Sequence, residues 1–214
     1  MTVRGQPWVR PAAVFAAALL AGCGTTKVST RPPPPPPIAT GPACLGRLAG
    51  DSAIFRSIDF PPAGECVVDA PVRVMALGLK LSPPATMSCG LADRLAQFDR
   101  AVIQPAARRH FEVEAVVLID FGAYNCRAET GSRHQMSQHG FGRAFDLAGV
   151  ALADGRRILV EEAWDDDGAA GAFIHEVARA ACAWFSVVLT PDSNADHHNH
   201  LHLDVGPDRL CGPA

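Results

Sequence analysis

Most of the features that announce a familiar function are missing from this chain. No two cysteines stand as Cys-x-x-Cys, which excludes the common thiol redox motif and a thiolate zinc site. No internal period recurs, so a solenoid or propeller is excluded as well. Aromatic residues make up only 7 % of the chain, with a single Tyr and three Trp. They do not interleave with basic residues in any patch, and the 19 Lys and Arg are outnumbered by 22 Asp and Glu, so nucleic acid is not an expected partner. Even the apolar stretch at residues 11–21, PAAVFAAALLA, is too short to cross a bilayer.

That stretch has the order of a leader instead. A short segment carrying Arg4 and Arg10 precedes it, and Leu20-Ala21-Gly22-Cys23 closes it; basic, apolar and small residues in that order make a signal peptide. The closing tetrad resembles a bacterial lipobox. The resemblance implies that residues 1–22 are removed and that Cys23 is lipidated as the first residue of a periplasmic protein. Gly24 in place of Asp after that cysteine implies, by resemblance to sorted lipoproteins, the outer membrane. Losing Arg4 and Arg10 takes the net charge from −3 to about −5. Residues 23–42 form a linker in which the six prolines 32–37 favour polyproline II geometry. At ~3.1 Å each they span roughly 20 Å, as a spacer or as a leader with no spacing role. Residues 43–214 are one domain's worth of chain.

Cys23 apart, Cys44, Cys66, Cys89, Cys126, Cys182 and Cys211 remain. An even number behind an export signal predicts three disulfides in an oxidising compartment. Short closed loops favour Cys44 with Cys66 and Cys182 with Cys211, leaving Cys89 with Cys126.

Leu91, Leu95, Phe98 and Val102 recur at helical spacing, which predicts a helix over 88–105 stopped near Gln104 by Pro105. The β-branched run 113–121 predicts a buried strand, 158–163 a second strand and 169–185 a second helix. Helices and strands without regular βαβ alternation indicate an α+β domain.

Two stretches carry chemistry. In residues 200–205, HLHLDV, polar and apolar residues alternate, so a strand would show His200, His202 and Asp204 on one face and Leu201, Leu203 and Val205 on the core side. A half-exposed edge strand would alternate in the same way. Upstream, in residues 137–146, SQHGFGRAFD, Asp146 shares its strand face with the small Ala144 and Ala148, while Gly140 and Gly142 permit a turn that swings His139 back toward it. Two His and one Asp with an open fourth position are the ligand set of a catalytic zinc site.

Ser137, His139, Gly142, Ala144 and Asp146, followed far downstream by His-x-His, resemble the zinc D-Ala-D-Ala carboxypeptidases and murein endopeptidases. The cysteine spacing, Tyr124-Asn125-Cys126-Arg127 and the closing His-x-x-His-x-His-Leu-Asp resemble the bacterial extensin-like C-terminal family more closely. The resemblance implies a Hedgehog/D-Ala-D-Ala peptidase-like fold with a small, mainly antiparallel sheet and flanking helices. It implies His139, Asp146 and His202 as zinc ligands, His200 as the histidine that assists catalysis and His197 as a lining residue. Those carboxypeptidases often have a Glu where this chain has Asn199, so their general base is missing. Arg127 and Arg133 are candidates to hold a substrate carboxylate, and Ser137 could brace the His139 loop. His134, His198 and the acidic run 165–167 read as exposed loop residues; Glu161 or Glu162 could stand in for the missing base. The expectation is a zinc peptidase acting on peptidoglycan stem peptides, attached to the membrane through its lipid alone. The rival expectation is a non-catalytic, zinc-stabilised wall-binding lipoprotein.

Overall fold

A computed structural model describes residues 1–2, 34–51, 53–132 and 134–213. The leader, Cys23 and most of the linker lie outside the described residues, as does Arg133. Pro34–Ala214 form one compact unit.

The chain runs α1 (Gly41–Gly50), β1 (Ile54–Ser57), β2 (Pro71–Leu77), β3 (Leu79–Ser88), α2 (Cys89–Phe98), α3 (Gln104–Phe111), β4 (Ala115–Asp120), β5 (Ala144–Leu152), β6 (Arg157–Leu159), α4 (Val160–Ala163), α5 (Ala169–Ala181), β7 (Val187–Leu189), β8 (Leu201–Asp204) and β9 (Leu210–Cys211). Helices and strands are segregated as an α+β arrangement requires. None of the described helices is long and apolar enough to cross a membrane.

All nine strands join one sheet in the order β1-β2-β3-β4-β5-β8-β7-β9, with β6 paired to β5. The expected small, mainly antiparallel sheet is therefore corrected to a large mixed one. β3 and β4 are parallel, as are β7 and β9. A parallel neighbour needs a long crossover, and the helical excursion from Cys89 to Phe111 supplies it between β3 and β4.

That excursion also corrects the first predicted helix. Ser88 caps α2, its hydroxyl accepting from the Leu91 N–H at 3.3 Å. Pro105 does not stop the helix. A π-helical turn over Asp99–Ile103 precedes it, and the Gln104 N–H donates to the Asp99 carbonyl five residues back. The widened turn accommodates a residue that lacks an N–H and crowds the carbonyl four back, so the chain continues into α3. Of the second predicted strand, 158–163, only Ile158 and Leu159 pair, in β6, which begins one residue earlier at Arg157; Val160–Ala163 turns into α4. The second predicted helix ends earlier, at Ala181.

α2 lies on β2 and β3, and α5 packs on α3. Phe98, fully buried, stacks edge-on to Phe185 at 5.1 Å. Phe145, Leu147, Leu201 and Leu203 project into the same core, which commits the opposite faces of β5 and β8 to the polar residues between them.

The disulfides are Cys44–Cys89, Cys66–Cys126 and Cys182–Cys211. The third is as expected and the other two correct the expected pairing. Loop-closure entropy rises only logarithmically with length, so short loops are weakly preferred; the packing of α1 on α2 decides for Cys44 and Cys89.

Candidate metal centre

β5 and β8 pair antiparallel with Asp146 directly opposite His202, and Ala144 opposite Asp204. Cross-strand partners share a face, so the carboxylate of one strand meets the imidazole of the other. His139 arrives from a 3-10 turn, Gln138–Phe141, capped by Ser137, whose hydroxyl accepts from the His139 N–H at 3.3 Å. Ser137 thus braces the loop. The two glycines after His139 are steric requirements: a Cβ on Gly140 would sit 2.8 Å from Cys66 Sγ, and Gly142 has φ +60° with the Ser88 amide 2.9 Å from where its Cβ would be. The Cys66–Cys126 bridge therefore lies directly behind the histidine turn.

The hydrogen bonds decide the tautomers. His139 Nδ1 lies 2.7 Å from the Ala123 carbonyl, which can only accept, so Nδ1 carries the proton and Nε2 offers a lone pair. His202 Nε2 lies 3.4 Å from Asp204 Oδ2, which orients Nδ1 toward the centre. His139 Nε2, His202 Nδ1 and Asp146 Oδ1 then form a triangle with sides of 3.2, 3.0 and 3.2 Å. Ligand bonds of ~2.0–2.1 Å in a tetrahedral zinc site set ligand atoms about 3.3 Å apart. Three acceptor atoms at that spacing repel one another unless a cation or protons sit among them. Among the described residues these three are the group of His, Cys, Asp and Glu side chains placed to hold a metal ion. The Ala123 carbonyl and the Asp204 carboxylate are the outer partners that ligating imidazoles normally have.

The electrostatics agree with the geometry. Burial alone would raise Asp146, but the imidazoles of His139, His200 and His202 gathered on its carboxylate overcome it and hold the carboxyl far below the usual range. Burial opposes charge on His202 too, yet Asp146 and Asp204 outweigh it and lift the imidazole to about 9. Without metal, a proton on His202 takes the place of the cation.

His200 is buried beside the triangle, its Nε2 3.4 Å from Asp146 Oδ1 and its Nδ1 2.9 Å from Asn199 Oδ1. Asn199 thus orients His200. His197 is half-buried, its ring 5.1 Å from that of His200 and 5.7 Å from that of His202. Burial, followed by its two neighbouring histidines, lowers it to about 4, so it is neutral at pH 7. A cleft of about 520 Å³ opens beside His197, His202 and Asp204, with Arg127 and Ser137 also on its wall. Exposed Phe121 meets the His200 ring edge-on at 5.8 Å.

Several sequence candidates stand apart. His134 and His198 are exposed, as are residues 165–167, Glu161 and Glu162. The two glutamates are on α4, and neither they nor the acidic run lines the cleft. Sequence reasoning missed the orienting role of Asp204, although alternation had placed it on the correct face. It also missed Asp120, which is 4 % exposed with neither carboxylate oxygen hydrogen-bonded among the described residues. Burial, then the nearby Asp146 charge, lifts it to about 7. An Asp ending an otherwise apolar strand was the available signal.

Fold and site together define an α+β domain with a His/Asp cluster whose His202 lines a cleft. Residues 42–212 match the family model described as Extensin-like protein C-terminus, and the chain belongs to that family. No curated protein and no solved structure matches it significantly.

Proposed function

We propose that this chain is a periplasmic, lipid-anchored zinc peptidase acting on D-amino-acid-containing stem peptides or cross-links of peptidoglycan, with a Hedgehog/D-Ala-D-Ala peptidase-like fold. The observation that carries the reading is the triangle of three acceptor atoms, whose His202 lines a cleft of about 520 Å³. Its donor set fits zinc, with His139, Asp146 and His202 as the holding residues. When bound there, zinc supplies Lewis-acid polarisation of a carbonyl and a lowered pKa for water.

The chain's own residues supply positioning and proton transfer. His200, with Nδ1–H on Asn199, presents Nε2 toward the centre as the atom that accepts a proton and later returns it. His197 stays neutral and forms a hydrogen-bonding wall, its Nδ1 held by Asn194 Oδ1 at 2.7 Å. Arg127 offers a guanidinium to a substrate carboxylate at the cleft. Phe121 covers the outer side of His200. Two oriented imidazoles thus replace the carboxylate base that Asn199 cannot provide.

A second reading, a zinc-stabilised wall-binding module without activity, is favoured by Asn199 itself. Incubating the purified, metal-loaded domain with sacculi and separating the soluble products discriminates the two. The peptidase reading expects muropeptides or free D-alanine that a His200→Ala variant fails to release. Tight binding to sacculi without any product would establish the second reading instead.

A further inference from the structure

Two short segments grip the turn that carries His139. Residues 123–127 hold it by three bonds. The Asn125 N–H donates to the His139 carbonyl and the Ser137 N–H to the Arg127 carbonyl, both at 3.1 Å, while the Ala123 carbonyl accepts from His139 Nδ1 at 2.7 Å. Residues 66–68 press on the two glycines from the other side. A Cβ on Gly140 would lie 2.8 Å from Cys66 Sγ, and one on Gly142 3.0 Å from Val68 Cγ1. Neither segment belongs to one of the helices or paired strands, so the sheet's ladder fixes neither of them. The Cys66–Cys126 bridge ties the two to each other around the turn. Phe60 and Tyr124, edge to face at 4.7 Å, join the same two stretches without a covalent bond. Opening the bridge therefore loosens the grip on His139 while the aromatic pair keeps the stretches together.

The bridges also differ in access. Cys44 and Cys89 are both 0 % exposed, whereas Cys66 is buried but Cys126 is exposed. Thiol–disulfide exchange requires that a thiolate reach a sulfur. A dithiol in the surroundings meets the Cys66–Cys126 bridge from the Cys126 side and has no such route to Cys44–Cys89.

We infer that the Cys66–Cys126 bridge is a positioning element for His139 whose reduction lowers the affinity of the metal centre, so that metal loading follows the thiol–disulfide state of the surroundings. This rests on reading His139, Asp146 and His202 as a zinc site. The reductant is a dithiol. One of its thiolates attacks Cys126 Sγ, the S–S bond breaks, and Cys66 leaves as a thiolate that takes up a proton. The second thiol attacks the mixed disulfide, frees Cys126 as a thiol and closes the reductant's own disulfide. Two electrons and two protons pass from the dithiol to the bridge.

Zinc affinity, measured by competition with a chromophoric chelator, compares the wild type with Cys66→Ser/Cys126→Ser and Cys182→Ser/Cys211→Ser double variants. The first is expected to bind zinc about 10- to 100-fold more weakly, the range for losing an outer partner of a ligating histidine, and the second as tightly as the wild type. Amide exchange followed by NMR on the zinc-free proteins reads the clamp without metal. The Asn125 and Ser137 amides should exchange faster in the first variant, with the amides of β5 unchanged. If the β5 amides show that this variant does not fold, the exchange measurement is made on wild type opened at this bridge by dithiothreitol. Alkylation and mass mapping during that treatment should find Cys66–Cys126 open while Cys44–Cys89 is closed. Unchanged zinc affinity together with unchanged exchange overturns the proposal, as does an equal loss of affinity in the Cys182/Cys211 variant, or a Cys66–Cys126 bridge that opens no sooner than Cys44–Cys89. A wild type that binds no zinc would sink the metal reading, yet faster exchange of the two amides would leave the clamp standing; zinc binding indifferent to the bridge would do the reverse.

Discussion

In the proposed zinc site the metal would have to displace a proton, and a dependence of its affinity on pH follows from that. In the metal-free protein Asp146 and Asp204 overcome the burial penalty and hold His202 at about 9. The Nε2–H stays on Asp204, so the proton that leaves is the one on Nδ1, facing Asp146 Oδ1 at 3.0 Å. At pH 7 the metal would compete with a proton bound two pH units too tightly, a penalty of about 100-fold. Apparent zinc affinity, measured by competition with a buffered chromophoric chelator and corrected for chelator protonation and zinc hydrolysis, should rise about tenfold per pH unit from 7 toward 9 and then level. Asp204→Asn removes one of the two carboxylates that raise His202, so its levelling point should move to lower pH. An affinity flat between pH 7 and 9 would refute the reasoning, because Nδ1 would then hold no proton to lose. The same shift governs stability without metal. The folded pKa lies above the unfolded value of ~6.5, so the contribution is complete below ~6.5 and disappears as pH rises through about 9, a loss of about 3 kcal/mol.

Asp99 shows the opposite linkage. Burial lifts it to about 7, so its folded form resists ionisation and stability falls as pH rises from ~3.8 toward 7. Asp99→Asn keeps an acceptor for Gln104 Nε2 at 3.1 Å and should stabilise by on the order of 4 kcal/mol at pH 8 and little at pH 4; thermal melts giving a gain independent of pH would contradict this. Replacing both Cys44 and Cys89 with Ser opens a bridge with a sequence separation of 45, at a cost of about 4 kcal/mol in denaturant unfolding, and disulfide mapping that joins Cys44 to Cys66 would refute the pairing. Cys23→Ser should block processing or move the protein to the soluble periplasmic fraction, and unchanged membrane fractionation would remove the lipid anchor.

What could be read from the sequence was whatever a local pattern determines. Alternation in residues 200–205 assigns Leu201 and Leu203 to the core and His202 and Asp204 to the other face, because a strand has a period of two whatever its neighbours. The helix over residues 88–105 was legible from its apolar stripe, but not its continuation past Pro105, which depends on a π turn that leaves no periodic signal. The disulfides followed the same division. Cys182 and Cys211 close a short loop and were paired correctly. Cys44 meets Cys89 only because α1 packs on α2, and Cys66 meets Cys126 behind the His139 turn, both of which are tertiary facts. Strand order was illegible for the same reason: β3 and β4 pair in parallel across a crossover of helix. Asp120 gave no motif, since neither its burial nor its lack of a hydrogen-bond partner among the described residues leaves a pattern in the chain.

In the proposed site His139, Asp146 and His202, and not His200, hold one metal ion. Elemental analysis of the purified protein after zinc loading and removal of excess metal, on wild type, His202→Ala and His200→Ala, tests it most directly. One zinc per chain is expected in the wild type and in His200→Ala, and essentially none in His202→Ala. Zinc retained by His202→Ala but lost by His200→Ala would reverse the ligand assignment, and equal content in all three would contradict the metal centre itself.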